Sequence, residues 1–228
     1  MLDHAVVGLV AAAVTALVVP PVAALARRLG AVRWRAGEGP ADAAPEERAR
    51  RREQRVPVLG GLAMFAGLVV ALRVAGTRDA FADVFTSTSE PVGLLVGAGA
   101  IVAVGVLDDL LDLSAALKLA GQLVAATLVS ALGLQLQYFW LPSIGVVALS
   151  DDLGLVLTVG FLVAFINLIN LVDGLDGLAA GVSAIGAAAF LLYALRGGGA
   201  AAGLVSSATL LAVITVGVAV GFLVHNWY

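Results

Sequence analysis

The chain has 228 residues, 61% of them hydrophobic and 13% charged, with a formal net charge of −3 and a mean hydropathy of +1.04. That composition excludes an ordinary soluble domain and predicts an all-α, polytopic helical bundle in a bilayer, one transmembrane domain over residues 1–228. Cysteine is absent, which removes disulfides, thiolate catalysis and thiolate-bound metals.

A membrane-spanning helix takes roughly 17–25 mostly apolar residues, and seven segments approach that length. The first, Ala5 to Leu25, has no basic residue ahead of it and is long enough to span, so it reads as a retained helix rather than a cleaved leader. A basic loop, 26–57, follows. Nine of the thirteen basic residues lie in it (Arg27, Arg28, Arg33, Arg35, Arg48, Arg50, Arg51, Arg52 and Arg55), and the positive-inside bias makes it cytoplasmic. The arginines suit topology and attraction to anionic lipid, and equally the binding of an anionic substrate. The loop closes on Arg55-Val56-Pro57-Val58-Leu59-Gly60-Gly61, at the mouth of the second helix, Val58 to Ala75. Paired glycines admit a closely approaching backbone or phosphate, or a tightly packed helix, and proline fixes the angle at which the helix starts.

The third helix, Val92 to Leu107, is short and runs into Asp108-Asp109-Leu-Leu-Asp112-Leu113. On a continued helix Asp108 and Asp112 share a face while Asp109 points about 100° away, so the carboxylates can divide their labour. Adjacent carboxylates repel, and a cation or a shared proton relieves this; the alternative is that the acids only end one helix and cap the next. The fourth helix, Leu117 to Leu134, carries Lys118 and Gln122 near its start. Asp151 and Asp152 read as the solvated first turn of the fifth helix, Leu153 to Ile169, where carboxylates complement the helix dipole. That helix runs into Asn167-Leu-Ile-Asn170-Leu-Val-Asp173-Gly174-Leu-Asp176-Gly177, polar groups at steps of three in lipid-like sequence. Leu178 to Leu195 and Gly203 to Val224 complete the set, and the many Gly and Ala residues suit helices that pack closely in a membrane.

Alternate counting from the arginine loop places the N-terminus outside. It brings 108–117, 170–177 and the region beyond Val224 to the cytoplasmic face, so every polar motif falls on one side. The connections 76–90, 135–152 and 196–202 fall outside and offer no catalytic constellation. Acids in this pattern suit magnesium better than zinc, because magnesium takes oxygen ligands, keeps several waters and is commonly shared with substrate phosphates. Phosphoryl transfer needs such neutralisation and careful positioning. A membrane site with acids, a lysine and nearby arginines therefore suggests a soluble phosphate-bearing donor meeting a phosphate-bearing lipid acceptor.

Three signatures in order resemble those of the polyprenyl-phosphate N-acetylhexosamine-1-phosphate transferases. Val56-Pro57-Val58-Leu59-Gly60-Gly61 is similar to the family's PxxGG element. Asp108-Asp109-Leu-Leu-Asp112-Leu, with Lys118 and Gln122, resembles its DDxxD element. The run from Asn167 to Gly181 resembles its NxxNxxDGLDGLAxG element, the most specific of the three. The resemblance implies Asp108 and Asp109 as a catalytic acid pair, one of them deprotonating or orienting the lipid phosphate. It also implies Lys118 on the donor pyrophosphate, Asn170 as a magnesium ligand (with manganese as an alternative ion), Asp173 in support, and Asp176 on the uracil. Gly60 and Gly61 would shape the nucleotide side of the cleft, with Arg55 beside the substrate.

The implied reaction is UDP-N-acetylglucosamine plus polyprenyl phosphate (undecaprenyl or decaprenyl) giving polyprenyl-diphospho-N-acetylglucosamine plus UMP, by direct attack or through an aspartyl-phosphate. This is a first lipid-linked step of cell-wall or surface-polysaccharide synthesis. The implied partners are a UDP-N-acetylhexosamine, polyprenyl phosphate and membrane lipid, with no nucleic acid and with a homodimer left open. The implied place is the plasma (inner) membrane, with the active site facing the cytoplasm.

Two departures stand out. A histidine that the family often carries before PxxGG is absent, its place taken by arginines around Arg52. The closing residues Gly221-Phe222-Leu223-Val224-His225-Asn226-Trp227-Tyr228 resemble the opening of the family's next motif, where a proline and then FMGD should follow with a second metal-ligating aspartate. The expectation is therefore an N-terminal part of a longer enzyme, with the C-terminal part of the family domain missing and this part inactive alone. Phospho-MurNAc-pentapeptide transfer is the alternative reaction, although Val56 in place of a threonine before the proline favours the simple-hexosamine branch. An intramembrane prenyltransferase would need a second acid-rich motif in place of the Asn170 to Asp176 run. A transporter or a purely structural helical bundle could also carry acids at helix ends; transport would predict a polar pathway near the midplane, whereas these acids cluster at the cytoplasmic ends.

Overall fold

The computed structural model describes residues 2–34, 55–198 and 207–227. Its elements in chain order are α1 (Leu2–Leu29), β1 (Val32–Trp34), β2 (Arg55–Pro57), α2 (Gly60–Ala75), α3 (Ala82–Ser87), α4 (Glu90–Leu111), α5 (Ala115–Ala131), β3 (Tyr138–Leu141), β4 (Gly145–Ala148), α6 (Asp151–Val172), α7 (Leu178–Tyr193) and α8 (Ser207–Asn226). All seven expected spans are helices, and the chain is an all-α, multi-pass membrane protein. Five of them, α1, α4, α6, α7 (continuing to Arg196) and α8, are long and apolar enough to cross a bilayer. With 16 and 17 residues, α2 and α5 reach only about 24–26 Å, short of a hydrocarbon core of about 30 Å.

Local chemistry accounts for the boundaries. The hydroxyls of Ser114 and Ser150 accept from the backbone N–H of Leu117 and Leu153, capping α5 and α6. Asp151 and Asp152 occupy the first turn of α6, as expected, and Arg27 and Arg28 the last turn of α1. At the far end of α2 the chain turns sharply, so that 60–75 and 79–87 meet at 102°. The third expected helix was too short: it starts at Glu90 with Pro91 in its first turn and runs to Leu111, so Asp108 and Asp109 lie in its last turn. Asp112 then adopts a left-handed conformation, φ 50°. This corrects the expectation that Asp112 shares a helical face with Asp108, because the face ends one residue earlier.

Packing is a matter of small residues. The first and last helices, α1 and α8, run parallel: Gly217 lies on the backbone of Gly8 and Gly221 on that of Ala12, leaving no room for a Cβ. On its other side α1 meets α2, where Gly67 sits against Thr15 and the Ala11 carbonyl. Buried Val7, Ala11, Leu72, Phe81, Leu210 and Ile214 form the core towards one end, and Ala26, Ala31 and Leu59, with Val22, Leu62 and Val106, towards the other. Outward-facing Phe161, Phe165, Ile185 and Phe190 are exposed, the pattern of helices whose solvent is lipid.

Two short hairpins mark opposite ends. At the end where α1 stops and α2 starts, β1 pairs antiparallel with β2, Val32 opposite Pro57 and Trp34 opposite Arg55. Between α5 and α6, at the other end, β3 pairs with β4, Trp140 opposite Val146.

A candidate active site at one end of the bundle

The expected polar motifs meet at the β1–β2 end, each delivered by a helix terminus. Asp108 and Asp109 come from the last turn of α4 and turn to different neighbours. The Asp108 Oδ1 lies 2.7 Å from Nζ of Lys118, on the first turn of α5, and accepts from the backbone N–H of Leu113 at 3.1 Å. Asp109 Oδ2 accepts from the backbone N–H of Leu59 at 3.0 Å. Leu59 precedes Gly60 in a left-handed conformation, φ 72°, which turns its N–H towards α4 instead of into the helix that follows. The two aspartates thus divide their contacts as their angular separation on a helix requires.

From α5 the contacts pass to α6. Asn167 Nδ2 donates to Oε1 of the buried Gln122 at 2.6 Å and to the Val163 carbonyl at 2.8 Å. A buried amide in lipid needs a partner, and these two polar side chains supply one another. One turn later Asn170 is exposed on the last turn of α6, Asp173 ends that helix, and Asp176 lies in the exposed turn that leads to Gly177. Gly177 caps α7 with φ 72°, and a Cβ there would stand 3.2 Å from the Asn226 carbonyl and 3.3 Å from Leu223, both on α8. Phe222 of α8 reaches Gly60, where a Cβ would come within 2.8 Å of its ring. Leu59–Asp109, Asp108–Lys118, Gln122–Asn167, Gly177–Asn226 and Phe222–Gly60 therefore form a closed ring of contacts around one end of the bundle. The N-termini of α2, α5 and α7 point to that end, which favours anions.

Gly61 is exposed and has only Val102 near it, at 3.9 Å from an added Cβ. The backbone of Arg55 pairs with Trp34, while its side chain and residues 35–54, with most of the arginine run, lie outside the described residues. Among the described residues no three of Asp, Glu and His gather to cage a metal. What the site end does offer is oxygen: the amide of Asn170 and the carboxylates of Asp173 and Asp176. That donor set fits an ion held by few protein ligands and completed by water and phosphate, and it does not fit an all-protein cage.

Sequence reasoning had no role for Leu59, Phe222 or His225. Leu59 left no signal, since a left-handed leucine is uncommon. Gln122 and Asn167 were each visible in a motif, but their pairing across 45 residues was not.

The family model described as glycosyl transferase family 4 matches residues 91–228, a span that contains Asp108, Asp109, Lys118 and the whole Asn167 to Gly181 run. The chain belongs to glycosyl transferase family 4. Within it, the chain is 35% identical, over 99% of its length, to decaprenyl-phosphate N-acetylglucosaminephosphotransferase of Mycobacterium tuberculosis, covering 54% of that protein. It is 34% identical to the enzyme of the same name from Mycolicibacterium smegmatis, again over 99% of this chain and 54% of the relative. A probable undecaprenyl-phosphate N-acetylglucosaminyl 1-phosphate transferase of Bacillus subtilis is 32% identical over 100% of this chain and 58% of its own. The chain thus spans about half the length of the curated family 4 relatives it matches.

Proposed function

We propose that this chain carries the phosphate-handling end of an enzyme that transfers N-acetylglucosamine 1-phosphate from UDP-N-acetylglucosamine to a polyprenyl phosphate. An oxygen of the lipid phosphate attacks the sugar-bearing phosphorus of the donor, the bond to the uridylyl phosphate breaks, and UMP leaves. A new diphosphate then joins lipid and sugar. The observation that carries this reading is the meeting of Asp108, Asp109 and Lys118 at the ring-shaped helix end, together with relatives whose names specify this transfer.

A phosphate monoester loses its second proton near pH 6, so near neutrality the lipid phosphate is largely dianionic and needs orientation and neutralisation more than a base. Lys118 suits that task. Its ammonium carries two donor hydrogens beyond the one aimed at Asp108, free to meet a donor pyrophosphate. Asp108 holds the lysine in place, and Asp109, anchored by the Leu59 N–H, is the carboxylate positioned to orient the acceptor. Asp176, exposed in the turn before α7, is the residue we assign to the uracil N–H, with Asp173 bracing the same turn. Asn170 would hold magnesium, which when bound neutralises the pyrophosphate. Arg27 and Arg28, in the last turn of α1 at this end, together with the bias of basic residues towards the cytoplasm, support a cytoplasmic site, on the side where UDP-sugars are made.

The test is transfer of labelled sugar phosphate in membranes from cells expressing the gene that encodes this chain, with Asp108→Asn and Asp176→Asn alongside. Each substitution should abolish lipid-linked product and UMP release while the protein stays in the membrane. Survival of transfer in both variants would overturn the assignment, and preference for a UDP-MurNAc-pentapeptide donor would replace the substrate.

A further inference from the structure

α1 carries consecutive prolines, Pro20 and Pro21, inside the helix. Proline has no N–H, so the carbonyl of Ala16, which would accept from residue 20 in an unbroken helix, has lost its donor, and residue 21 cannot replace it. In a membrane an unmet carbonyl is strongly unfavourable. Nε2 of His225, on the last turn of α8, lies 2.9 Å from that oxygen, 209 residues away in sequence. A carbonyl only accepts, so the hydrogen sits on Nε2 and the tautomer is fixed. The next residue, Asn226, presents its carbonyl to Gly177, and Leu223 lies beside it.

We infer that His225 is a positioning residue: it donates to the Ala16 carbonyl that Pro20 leaves unpaired, and so fixes the last turn of α8 against the Asp173–Gly177 turn. Its effect on turnover rests on the transfer reading above, whereas the clasp itself does not. The bond accounts for a histidine, rather than an apolar residue, facing α1 at that level.

A double-mutant cycle tests it. With Pro20 present, His225→Phe should raise KM for UDP-N-acetylglucosamine roughly 2- to 10-fold, the worth of one hydrogen bond, and leave kcat within about twofold. His225→Gln, whose amide can donate, should restore most of the loss. In a Pro20→Ala background, where an N–H returns to the Ala16 carbonyl, His225→Phe should have no further effect. An equal loss in both backgrounds, or Gln no better than Phe, would overturn the proposal.

An independent readout needs no substrate. The chain has two histidines, His4 and His225, so selective ¹⁵N labelling with His225→Gln for assignment isolates the ring. A single Nε2–H form in the parent chain and a tautomer mixture in the Pro20→Ala variant would support the clasp, and a mixture in the parent chain would refute it. A fixed tautomer, together with no sugar-phosphate transfer in membranes from cells expressing the gene that encodes this chain, would retire the transfer reading and leave the clasp standing.

Discussion

Gly177→Ala should destabilise the protein, and the structure gives both the sign and the size. Gly177 has φ 72°, a conformation that disfavours a Cβ by about 1–2 kcal/mol. The added methyl would also stand 3.2 Å from the Asn226 carbonyl, a backbone atom that can yield only if the end of α8 moves. Lower entropy of the unfolded chain returns about 0.4–1 kcal/mol, so the left-handed strain by itself leaves a net loss of up to about 1.6 kcal/mol, or up to about 6 °C in Tm for a domain of this size, which the contact with α8 enlarges. Gly186 is the matched control. It lies inside α7 with nothing within 4 Å of an added Cβ, so Gly186→Ala should raise stability by about 0.5–1 kcal/mol through helix propensity alone. Thermal unfolding in detergent, followed by tryptophan fluorescence, reads both variants. If Gly177→Ala matches the parent, or if the two substitutions shift Tm in the same direction, the left-handed cap and its contact with α8 are not what they are described to be.

Lys118→Met removes the ammonium 2.7 Å from Asp108 and should lower kcat/KM for sugar-phosphate transfer roughly 10- to 100-fold; Lys118→Arg should fall between the two, since a forked cation does not replace a point charge. Gln122→Leu breaks the bond to Asn167 and should lower thermal stability by only about 0.6 kcal/mol, the average for such bonds in bilayers, a loss measurable as a Tm shift of a degree or two. Chelation of divalent ions should stop transfer and added magnesium should restore it, as product formation by thin-layer chromatography would show. Trp140 and Tyr138 are exposed on the β3–β4 hairpin, and a hairpin joining two spans at the membrane surface with such residues should lie among headgroups. Brominated lipids should then quench a single-tryptophan Trp140 variant more when the bromines are shallow than when they are deep.

Much of this architecture was legible in the residues because the bilayer imposes one dominant rule, long apolar runs bounded by polar or charged residues. All seven helices followed from that rule. The pairing of Asp108 with Lys118 is within reach of that motif, and Asn170 and Gly177 fall at helix ends on the same end of the bundle. Boundaries were less legible: α4 extends to Leu111 because its carboxylates are satisfied in the last helical turn and need no loop. Pairing between distant helices left almost no trace. Nothing in the order of residues shows that Gln122 meets Asn167, that Leu59 turns its N–H to Asp109, or that α1 lies along α8, because each depends on three-dimensional closure of the bundle. Pro20 was a local irregularity with a long-range consequence, an acceptor awaiting a donor from elsewhere.

The pairing of α1 with α8 also sets a clock on biogenesis. Gly8 and Ala12 are made early, and their partners Gly217 and Gly221 follow 209 residues later, about 10–40 s at ordinary elongation rates. For that interval the Gly8–Ala12 seam of α1 faces lipid or an insertion partner, with α2 alongside. Closure of this seam is therefore tied to the arrival of α8. Any pause in synthesis before residue 217 leaves a set of inserted helices whose central seam is open, a natural substrate for membrane quality control.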